Sequence, residues 1–308
     1  MHPLVRFSTV LLVLAFVLSL AACGNSSSIN QSIPPTPQYL YVANNSQSGA
    51  MAQYTLPLSS TSKANFTLAV NGIVGLLPNS AGDLICINSL TGEVSVYDAP
   101  LGASSTPAIV FSGPPAPVGL ALDTAGNLYL GSNSEEGVYV YDHPLTSSTT
   151  LSTSIANGIY FVDGIVFDSS GNLIVTNDNN LNNTASLAVF APPYSGAPTV
   201  TTSAVSNAWY MQPAMSGSQL FVPNWGGASL DVYALPLTST SAPTFSIPNL
   251  QGAAVAAVDK GGNLYVGSTQ GTLYMFASPI SASSAPAVTL NVTTGGTAWQ
   301  INGITAMP

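Results

Sequence analysis

Few side chains in this sequence could perform chemistry, and most of them lack the partners that catalysis requires. After residue 22 the chain contains one histidine, His143, which ends an apolar strand-like run and has no patterned serine or cysteine to accompany it. A nucleophilic triad needs a base oriented beside its nucleophile, and the GxSxG motif does not occur. The sequence therefore places His143 at an exposed strand end.

Asp163 is the carboxylate best suited to a binding or catalytic role. It comes directly before the apolar run GIVF at 164–167, and the comparable runs are preceded by Val74, Val118, Ala254 and Asn302. Trp209, Gln212 and Trp225 occur in neighbouring predicted loops. Aromatic rings and amide groups suit a sugar or another neutral polar ligand. Packing of these rings against loop backbone is the alternative interpretation.

Six apolar runs of the chain each end in Asn or Ser, where a predicted strand meets its next loop. These residues are Asn44, Asn88, Ser132, Asn177, Asn224 and Ser268. Two interpretations are open: the side chains cap local turns, or some of them contact a ligand. The candidate binding set is Asp163, Asn177, Gln212, Asn224, Trp225 and Asn302.

Three further carboxylates, Asp123, Asp168 and Asp259, each begin a DxxGN pattern. In such a turn the carboxylate accepts backbone N–H groups, and Gly supplies a positive φ. A calcium site instead requires several oxygens that converge on one point, whereas the regular spacing disperses these residues. We predict a structural role for them, with no metal or cofactor.

The composition excludes whole classes of function. The sequence has 3 Lys and Arg against 12 Asp and Glu, for a net charge of −9. Nucleic-acid binding depends on clustered Lys and Arg, so it is excluded. Apart from Cys23 the only cysteine is Cys86, which occupies an apolar strand position and is predicted to be a small core residue.

Most of the candidate residues belong to a sequence repeat. GLALDTAGNLYLGS at 119–132 is copied as GIVFDSSGNLIVTN at 164–177 and VAAVDKGGNLYVGS at 255–268, and each copy predicts two strands joined by a turn. The Leu that opens the second strand recurs at intervals of 44, 44, 45, 47 and 44, as Leu40, Leu84, Leu128, Leu173, Leu220 and Leu264. Such a period is typical of one propeller blade per repeat.

Each unit continues with a third strand that ends at a Pro, and then a short outer strand. We therefore predict an all-β fold, a six-bladed β-propeller of four-stranded blades over residues 39–308. The first repeat, which begins at Tyr39, has no inner strand before it. NGITAMP at 302–308 resembles an inner strand that no second strand follows. The C-terminal strand should pair into the first blade and close the ring, which leaves only short edges.

Residues 1–22 have the features of a bacterial lipoprotein signal peptide. Arg6 precedes an apolar run too short to span a bilayer, and LAAC at 20–23 looks like a lipobox, whose Cys23 is lipidated after cleavage. An ordinary signal peptide with a chance cysteine is the alternative. Lipidation would anchor the protein at a membrane without crossing it.

The lipid anchor also predicts a location. Gly24 after the cysteine resembles the pattern of Gram-negative lipoproteins of the outer membrane. Residues 23–38 are rich in Ser and Pro and predict a tether. We expect the protein in the bacterial cell envelope, at the outer membrane or the cell surface.

Several strand motifs resemble those of known propellers. YVAN at 41–44, IVTN at 174–177 and GNLY at 126–129 and 262–265 look like repeats of the NHL and YVTN families. They also resemble, more distantly, the six-bladed group that includes senescence-marker-type gluconolactonases and streptogramin lyases. The resemblance covers nearly all of the chain after the tether, and it implies the fold more than the function.

The resemblance also implies possible site residues. The lactonases hold a divalent metal over the channel with a Glu, Asn residues and an Asp that also serves as base. Asp163 would stand in for one carboxylate here, with Asn177, Asn224 or Asn302 as neutral ligands. The lyases rely on a His base, and His143 lies away from the predicted face.

Together these observations predict a monomeric, membrane-anchored propeller that acts as a non-catalytic binding or scaffolding module. Its partner would be a glycan or an envelope protein at the face that carries the Asn and Ser ring. The alternative is a metal-assisted, lactonase-like hydrolase centred on Asp163, with a divalent ion such as calcium as its cofactor.

Overall fold

The structure, a computed structural model, describes residues 38–46, 49–179 and 181–307. All regular structure in these ranges is β, in keeping with short apolar runs separated by Gly- and Asn-containing turns. The strands form six blades, each one sheet, around a central channel. This confirms the predicted all-β, six-bladed propeller. The predicted signal peptide at 1–22, the lipidated Cys23 and the tether up to residue 37 lie outside the described residues.

The first three blades follow the chain in order. Blade 1 contains β1 (Tyr39–Asn44), β2 (Ala50–Thr55) and β3 (Phe66–Ala69). Blade 2 contains β4 (Ile73–Pro78), β5 (Leu84–Asn88), β6 (Glu93–Tyr97) and β7 (Ile109–Ser112). Blade 3 contains β8 (Pro117–Leu122), β9 (Leu128–Ser132), β10 (Gly137–Tyr141) and β11 (Thr153–Ile155).

The next three blades repeat this order, with additions in blades 4 and 6. Blade 4 contains β12 (Ile165–Phe167), β13 (Leu173–Asn179), β14 (Thr184–Phe190) and an outer strand in two pieces, β15 (Val200–Thr201) and β16 (Val205–Ser206). Blade 5 contains β17 (Ala214–Ser216), β18 (Gln219–Asn224), β19 (Ser229–Ala234) and β20 (Phe245–Pro248). Blade 6 contains β21 (Ala253–Val258), β22 (Leu264–Ser268), β23 (Thr272–Phe276) and β24 (Val288–Asn291). A small hairpin of β25 (Thr293–Thr294) and β26 (Thr297–Ala298) precedes the last strand, β27 (Ile301–Met307).

The ring closes as the sequence predicts. The last strand, β27, pairs antiparallel with β1 and serves as the inner strand of blade 1, with Leu40 opposite Ala306. In blade 3 the corresponding Leu128 lies opposite Leu122. Ala306 and Leu122 each follow an inner-strand Gly by three positions, so the register of the closing pair matches that of a continuous hairpin.

The repeated leucines form the buried centre of each blade. All six are fully buried, and they are Leu40, Leu84, Leu128, Leu173, Leu220 and Leu264. Side chains on the two sides of a blade alternate along each strand, and each side packs against a neighbouring blade. Cys86 is also fully buried in this core, which confirms its predicted position.

Glycines bring the inner strands close together around the channel. A Cβ on Gly164 would lie 2.5 Å from the Cα atom of Gln212, and one on Gly119 would lie 3.0 Å from the Cα atom of Gly164. These approaches leave a channel of about 290 Å³ that is lined mainly by aliphatic side chains. Gln212, Asn302 and Thr305 are polar side chains in this lining.

We call the end of the propeller that carries the turns between inner and second strands the turn face. Asp123 accepts the N–H groups of Ala125 and Asn127 there, each at 2.9 Å. Asp168 and Asp259 accept equivalent backbone bonds. The three carboxylates therefore have the predicted structural role in their turns.

Candidate functional site

The opposite end of the propeller, which we call the entry face, is where second strands end and inner strands begin. The Asn and Ser ring lies on this face. Asn177, 3% exposed, accepts the N–H of Tyr160 at 2.7 Å and donates to the carbonyl of Gly158 at 3.0 Å. The equivalent bonds join Asn44 to Gln300, Asn88 to Asn71, Ser132 to Pro115, Asn224 to Trp209 and Ser268 to Gln251.

Each of these bonds ends on the backbone of the loop that enters the inner strand of the same blade. The ring therefore fixes the loops of the entry face, as the capping interpretation expects. Contact of Asn177 or Asn224 with a ligand stays a prediction. Both side chains are buried, and both position a neighbouring aromatic residue, Tyr160 and Trp209 respectively.

Asp163 is buried at the boundary between blades 4 and 5, and only 3% of it is exposed. Its Oδ2 atom accepts the indole N–H of Trp209 at 2.5 Å, and its Oδ1 atom accepts the side-chain amide of Asn133 at 3.3 Å. Loops of three blades thus converge on one carboxyl group. A buried carboxyl is tolerated only with such donors, because burial without them is costly.

A second carboxyl group, Asp178, lies against Asp163 and is 1% exposed. Its Oδ1 atom accepts the backbone N–H of Tyr210 at 3.1 Å, whereas its Oδ2 atom has no donor within the described chain. Burial, and then the charge of Asp163, raise the pKa of Asp178 to about 9. Asp178 therefore holds a proton at neutral pH and donates it to Asp163.

The two carboxyl groups act as one unit that carries a single negative charge. Burial also raises the pKa of Asp163, but the hydrogen bonds from Trp209, Asn133 and Asp178 oppose this effect. The proton therefore resides on Asp178, which has fewer donors, and the charge resides on Asp163.

Tyr210 connects this pair to another buried carboxylate. Its backbone N–H donates to Asp178, and its hydroxyl donates to Asp231 at 3.1 Å and lies 2.7 Å from the hydroxyl of Tyr233. Asp231 also accepts the side-chain amide of Asn224 at 2.9 Å. Burial raises the pKa of Tyr210, so its hydroxyl stays protonated. Buried hydrogen bonds of Tyr210 therefore fix the loop that carries Trp209.

Trp209, which donates to Asp163, lies beside a second tryptophan, Trp225, on the entry face. The rings of Trp209 and Trp225 meet edge to face, with centroids 5.3 Å apart and planes at 70°. They remain 38% and 44% exposed. The indole N–H of Trp225 donates to Thr269 of blade 6 at 3.3 Å, and its backbone N–H donates to the carbonyl of Trp209 at 2.9 Å. Both rings are thus held by hydrogen bonds while large parts of them face water.

The remaining predicted residues lie in the channel. The Gln212 side chain bonds both the N–H and the carbonyl of Ile165, at 3.3 and 2.9 Å, and so joins the inner strands of blades 4 and 5. Asn302 lines the channel from β27, and its Oδ1 atom has no donor among the described residues. The structure therefore joins Asp163 to the tryptophan pair, and it does not join Asn302 to that site by a hydrogen bond in the described chain.

A divalent metal fits this site poorly. Both oxygens of Asp163 already accept N–H groups, and its carboxyl neighbour is protonated. Calcium sites supply several free oxygens around one point. Within residues 38–46, 49–179 and 181–307 no group of three or more His, Cys, Asp or Glu side chains is placed to hold a metal. The same ranges contain no helix that could cross a membrane.

Among the site residues that were not predicted from the sequence, Asn133, Asp178 and Thr269 share one repeat position. Each lies five positions after a repeated Leu, as Trp225 does. The residue one position earlier, four after the repeated Leu, is Asn or Ser in every repeat and was predicted. The variable position that follows is the one that reaches the neighbouring blade. Asp178 could have been found as the only carboxylate among the six residues at this position.

Fold and site together define a six-bladed β-propeller with an aromatic and acidic cluster on its entry face. No family model matches the sequence, and no curated protein matches it. The resemblance to NHL and YVTN repeats therefore stays a prediction. Among solved structures, 837 chains match, so the fold is too widely shared to indicate one function.

Three of these solved structures span the whole propeller. A chain from a nidogen/laminin complex has a TM-score of 0.66 at 15% identity, with 88% of this chain and 98% of that chain covered. A protein of unknown function from Bacteroides caccae has a TM-score of 0.63 at 13% identity, with coverages of 88% and 99%. A protein from Lactobacillus plantarum has a TM-score of 0.61 at 13% identity, with coverages of 89% and 100%. At such identities the likeness supports the fold alone.

Proposed function

We propose that this protein is a non-catalytic binding module, and that Trp209 and Trp225 on its entry face bind a neutral glycan. The observation that carries the proposal is the half-exposed, edge-to-face pair of indoles, which hydrogen bonds fix from behind. Exposed aromatic rings offer a large apolar face to a ligand, and rigid ones lose little entropy when the ligand binds.

The buried carboxyl pair supports this role indirectly. Asp163 fixes the indole N–H of Trp209, and Asp178 fixes the backbone at Tyr210. Neither carboxyl is exposed to a ligand. Their arrangement therefore positions the aromatic surface, as supporting residues do in preorganised sites.

The charge distribution favours a neutral ligand over an acidic one. Within the described chain the two cationic side chains are Lys63 and Lys260, and both lie in loops of the turn face. Glu135 and Glu136 follow Asn133 closely on the entry face and are exposed. An anionic glycan or phosphate would meet negative charge there with no Lys or Arg to compensate it.

The location and partner class are part of the same proposal. An anchor at Cys23, with a tether up to residue 38, would hold the propeller at the surface of the bacterial envelope, where glycans are abundant. An envelope protein is the other candidate partner, since propellers also occur in protein complexes, as in the nidogen/laminin complex. The small size of the exposed aromatic surface favours a glycan.

Tryptophan fluorescence tests the proposal directly. The chain has three Trp residues, and the third, Trp299, is 3% exposed. Titration of the full-length protein with neutral oligosaccharides should therefore change the emission of Trp209 and Trp225. Loss of one central aromatic contact typically costs about 2 kcal/mol, which is about 30-fold in affinity. We expect a loss of that order in Trp225→Ala.

Leu90→Ala is the matched control, because Leu90 is 60% exposed on the entry face but belongs to blade 2. It should bind as the wild type does. Equal affinity of wild type and Trp225→Ala for every bound glycan would refute the proposed site. If an envelope protein bound to the wild type but not to Trp225→Ala, the proposed binding surface would be supported, and its ligand would be a protein instead of a glycan.

The metal-assisted hydrolase centred on Asp163 is the competing hypothesis. Asp178 supplies a second carboxyl group, but its proton and the N–H groups on Asp163 oppose a cation. Calorimetry with calcium and zinc compares the two hypotheses. Micromolar binding that is lost in Asp163→Ala would favour the hydrolase, and a lactone screen would then follow.

A further inference from the structure

A separate groove lies on the turn face, between blades 2 and 3, with a volume of about 630 Å³. This volume is within the range of small-molecule sites. Its floor is formed by five aliphatic side chains, Ile85, Val96, Ile109, Leu122 and Leu145. Ile85 and Val96 are buried beneath it, and the other three are partly exposed. The groove is therefore apolar at its base and open to solvent above.

Three positions that carry large rings at the next blade boundary carry smaller side chains in this groove. Between blades 3 and 4, Tyr129, Phe167 and Tyr194 pack together, with ring centroids 4.9 to 5.9 Å apart. At the same repeat positions, the boundary between blades 2 and 3 has Ile85, Leu122 and Leu145. All three of these smaller side chains line the groove.

The rim of the groove is acidic. Asp83, Asp98 and Asp123 line it, and no Lys or Arg does. Asp83 accepts the side-chain amide of Asn79 and the backbone N–H of Ala99, and Asp123 accepts the backbone N–H and the side-chain amide of Asn127. Asp98 is exposed, and no side-chain hydrogen bond engages it within the described chain. His143 also lines the groove and lies against Gly126.

We propose that this groove binds an amphipathic organic cation, an ammonium group joined by a short chain to an aromatic ring. The aliphatic floor would take the ring in the space that aromatic side chains fill at the next boundary. The ammonium group would lie at the acidic rim, where the exposed carboxylate of Asp98 is available to it. A neutral molecule of the same shape gains only the apolar contact, and an anion is repelled.

Phenethylamine and phenethyl alcohol are suitable probes, because they share ring and chain and differ in charge. Their binding to the full-length protein is measured by ligand-observed NMR at low salt, with calcium as a further competitor. We expect phenethylamine to bind about tenfold more tightly than the alcohol, and this advantage to fall as salt screens the rim. Asp98→Asn should reduce the advantage to about threefold or less.

Leu122→Phe tests the floor, because it places in the groove the residue that the next blade boundary has at this position. It should abolish binding of both probes while thermal unfolding stays close to that of wild type. Asp142→Asn is the matched control for charge. Asp142 is exposed, bonds to Ser152 at 2.8 Å and does not line the groove. This variant should bind both probes normally.

Four outcomes would overturn the proposal. They are equal affinity for amine and alcohol, no binding of either at millimolar concentration, unchanged binding in folded Leu122→Phe, and displacement of the amine by micromolar calcium. Displacement by calcium would show that the rim carboxylates bind cations and that the apolar floor does not contribute to binding.

Discussion

The shared proton of Asp163 and Asp178 predicts how two isosteric substitutions will differ. In Asp178→Asn, the amide oxygen can accept the N–H of Tyr210, and the amide nitrogen can donate to Asp163 as the carboxyl proton does. In Asp163→Asn, an NH₂ group would face the N–H donors of Trp209 or Asn133. Each variant replaces one carboxyl group by an amide of the same shape, yet only the first preserves every hydrogen bond.

The magnitude follows from proton linkage. Asp178 has a pKa of about 9 in the folded protein and an ordinary value of 3.8 when unfolded. Between these values the folded state holds one proton more than the unfolded state, so stability is full at acid pH and falls as pH rises. The slope has a ceiling of about 1.4 kcal/mol per pH unit, or about 4 kcal/mol between pH 5 and pH 8. Asp178→Asn should remove most of this slope.

Urea unfolding, followed by tryptophan fluorescence at pH 5, 6, 7 and 8, measures the effect. Wild type should lose stability across this series, whereas Asp178→Asn should stay nearly constant and exceed wild type at pH 8 by about 2–4 kcal/mol. Asp163→Asn should be less stable than wild type at every pH, by about 2 kcal/mol or more, because its new NH₂ group would face an N–H donor instead of an acceptor. A wild-type stability that does not change between pH 5 and 8 would refute the shared proton. Stabilisation by Asp163→Asn instead would place the proton on the other carboxyl.

Two further substitutions test the fold that carries the site. Gly164→Ala should lower the free energy of unfolding in urea by about 3 kcal/mol or more, because the new Cβ would meet the backbone of Gln212. Gly102→Ala is the control: it has open space around it and should change that free energy by about 0.5 kcal/mol or less. Asp231→Ala should cost about 3–5 kcal/mol and red-shift tryptophan emission, since it leaves four donors, including the Tyr210 hydroxyl, without their acceptor. Wild-type stability in either Gly164→Ala or Asp231→Ala would contradict the packing or the network described.

The fold could be predicted from the sequence because its repeats are regular. The Leu of each second strand, the turn at Asp123 and the Gly of each inner strand recur at fixed offsets, and each has a local physical cause. Ring closure followed from counting the strands at the two ends. The hairpin at 293–298 and the divided outer strand of blade 4 were not predicted, because each occurs once.

The site could be predicted only in part, since its contacts join loops of different blades. Asp163 and Trp225 stood out as unusual residues at repeat positions, but their partners depended on how neighbouring loops fold toward each other. Asp178 lies beside Asp163 because β13 continues past Asn177 to Asn179, and Asp178 there pairs with Phe161, two residues before Asp163. Periodicity shows which residues share a face, and it does not show which side chains cross from one blade to the next.

Because β27 pairs with β1, no blade of this propeller is terminal. Gln300 and Asn44 are joined by a hydrogen bond across 256 positions of the chain. In an open array of repeats the end units fray and unfold by themselves, whereas here every blade is flanked on both sides. Unfolding should therefore be cooperative over the whole ring, and assembly should be slow, because its closing contact joins residues far apart in sequence. Until Ile301–Met307 is in place, blade 1 has an open edge that invites pairing with another chain.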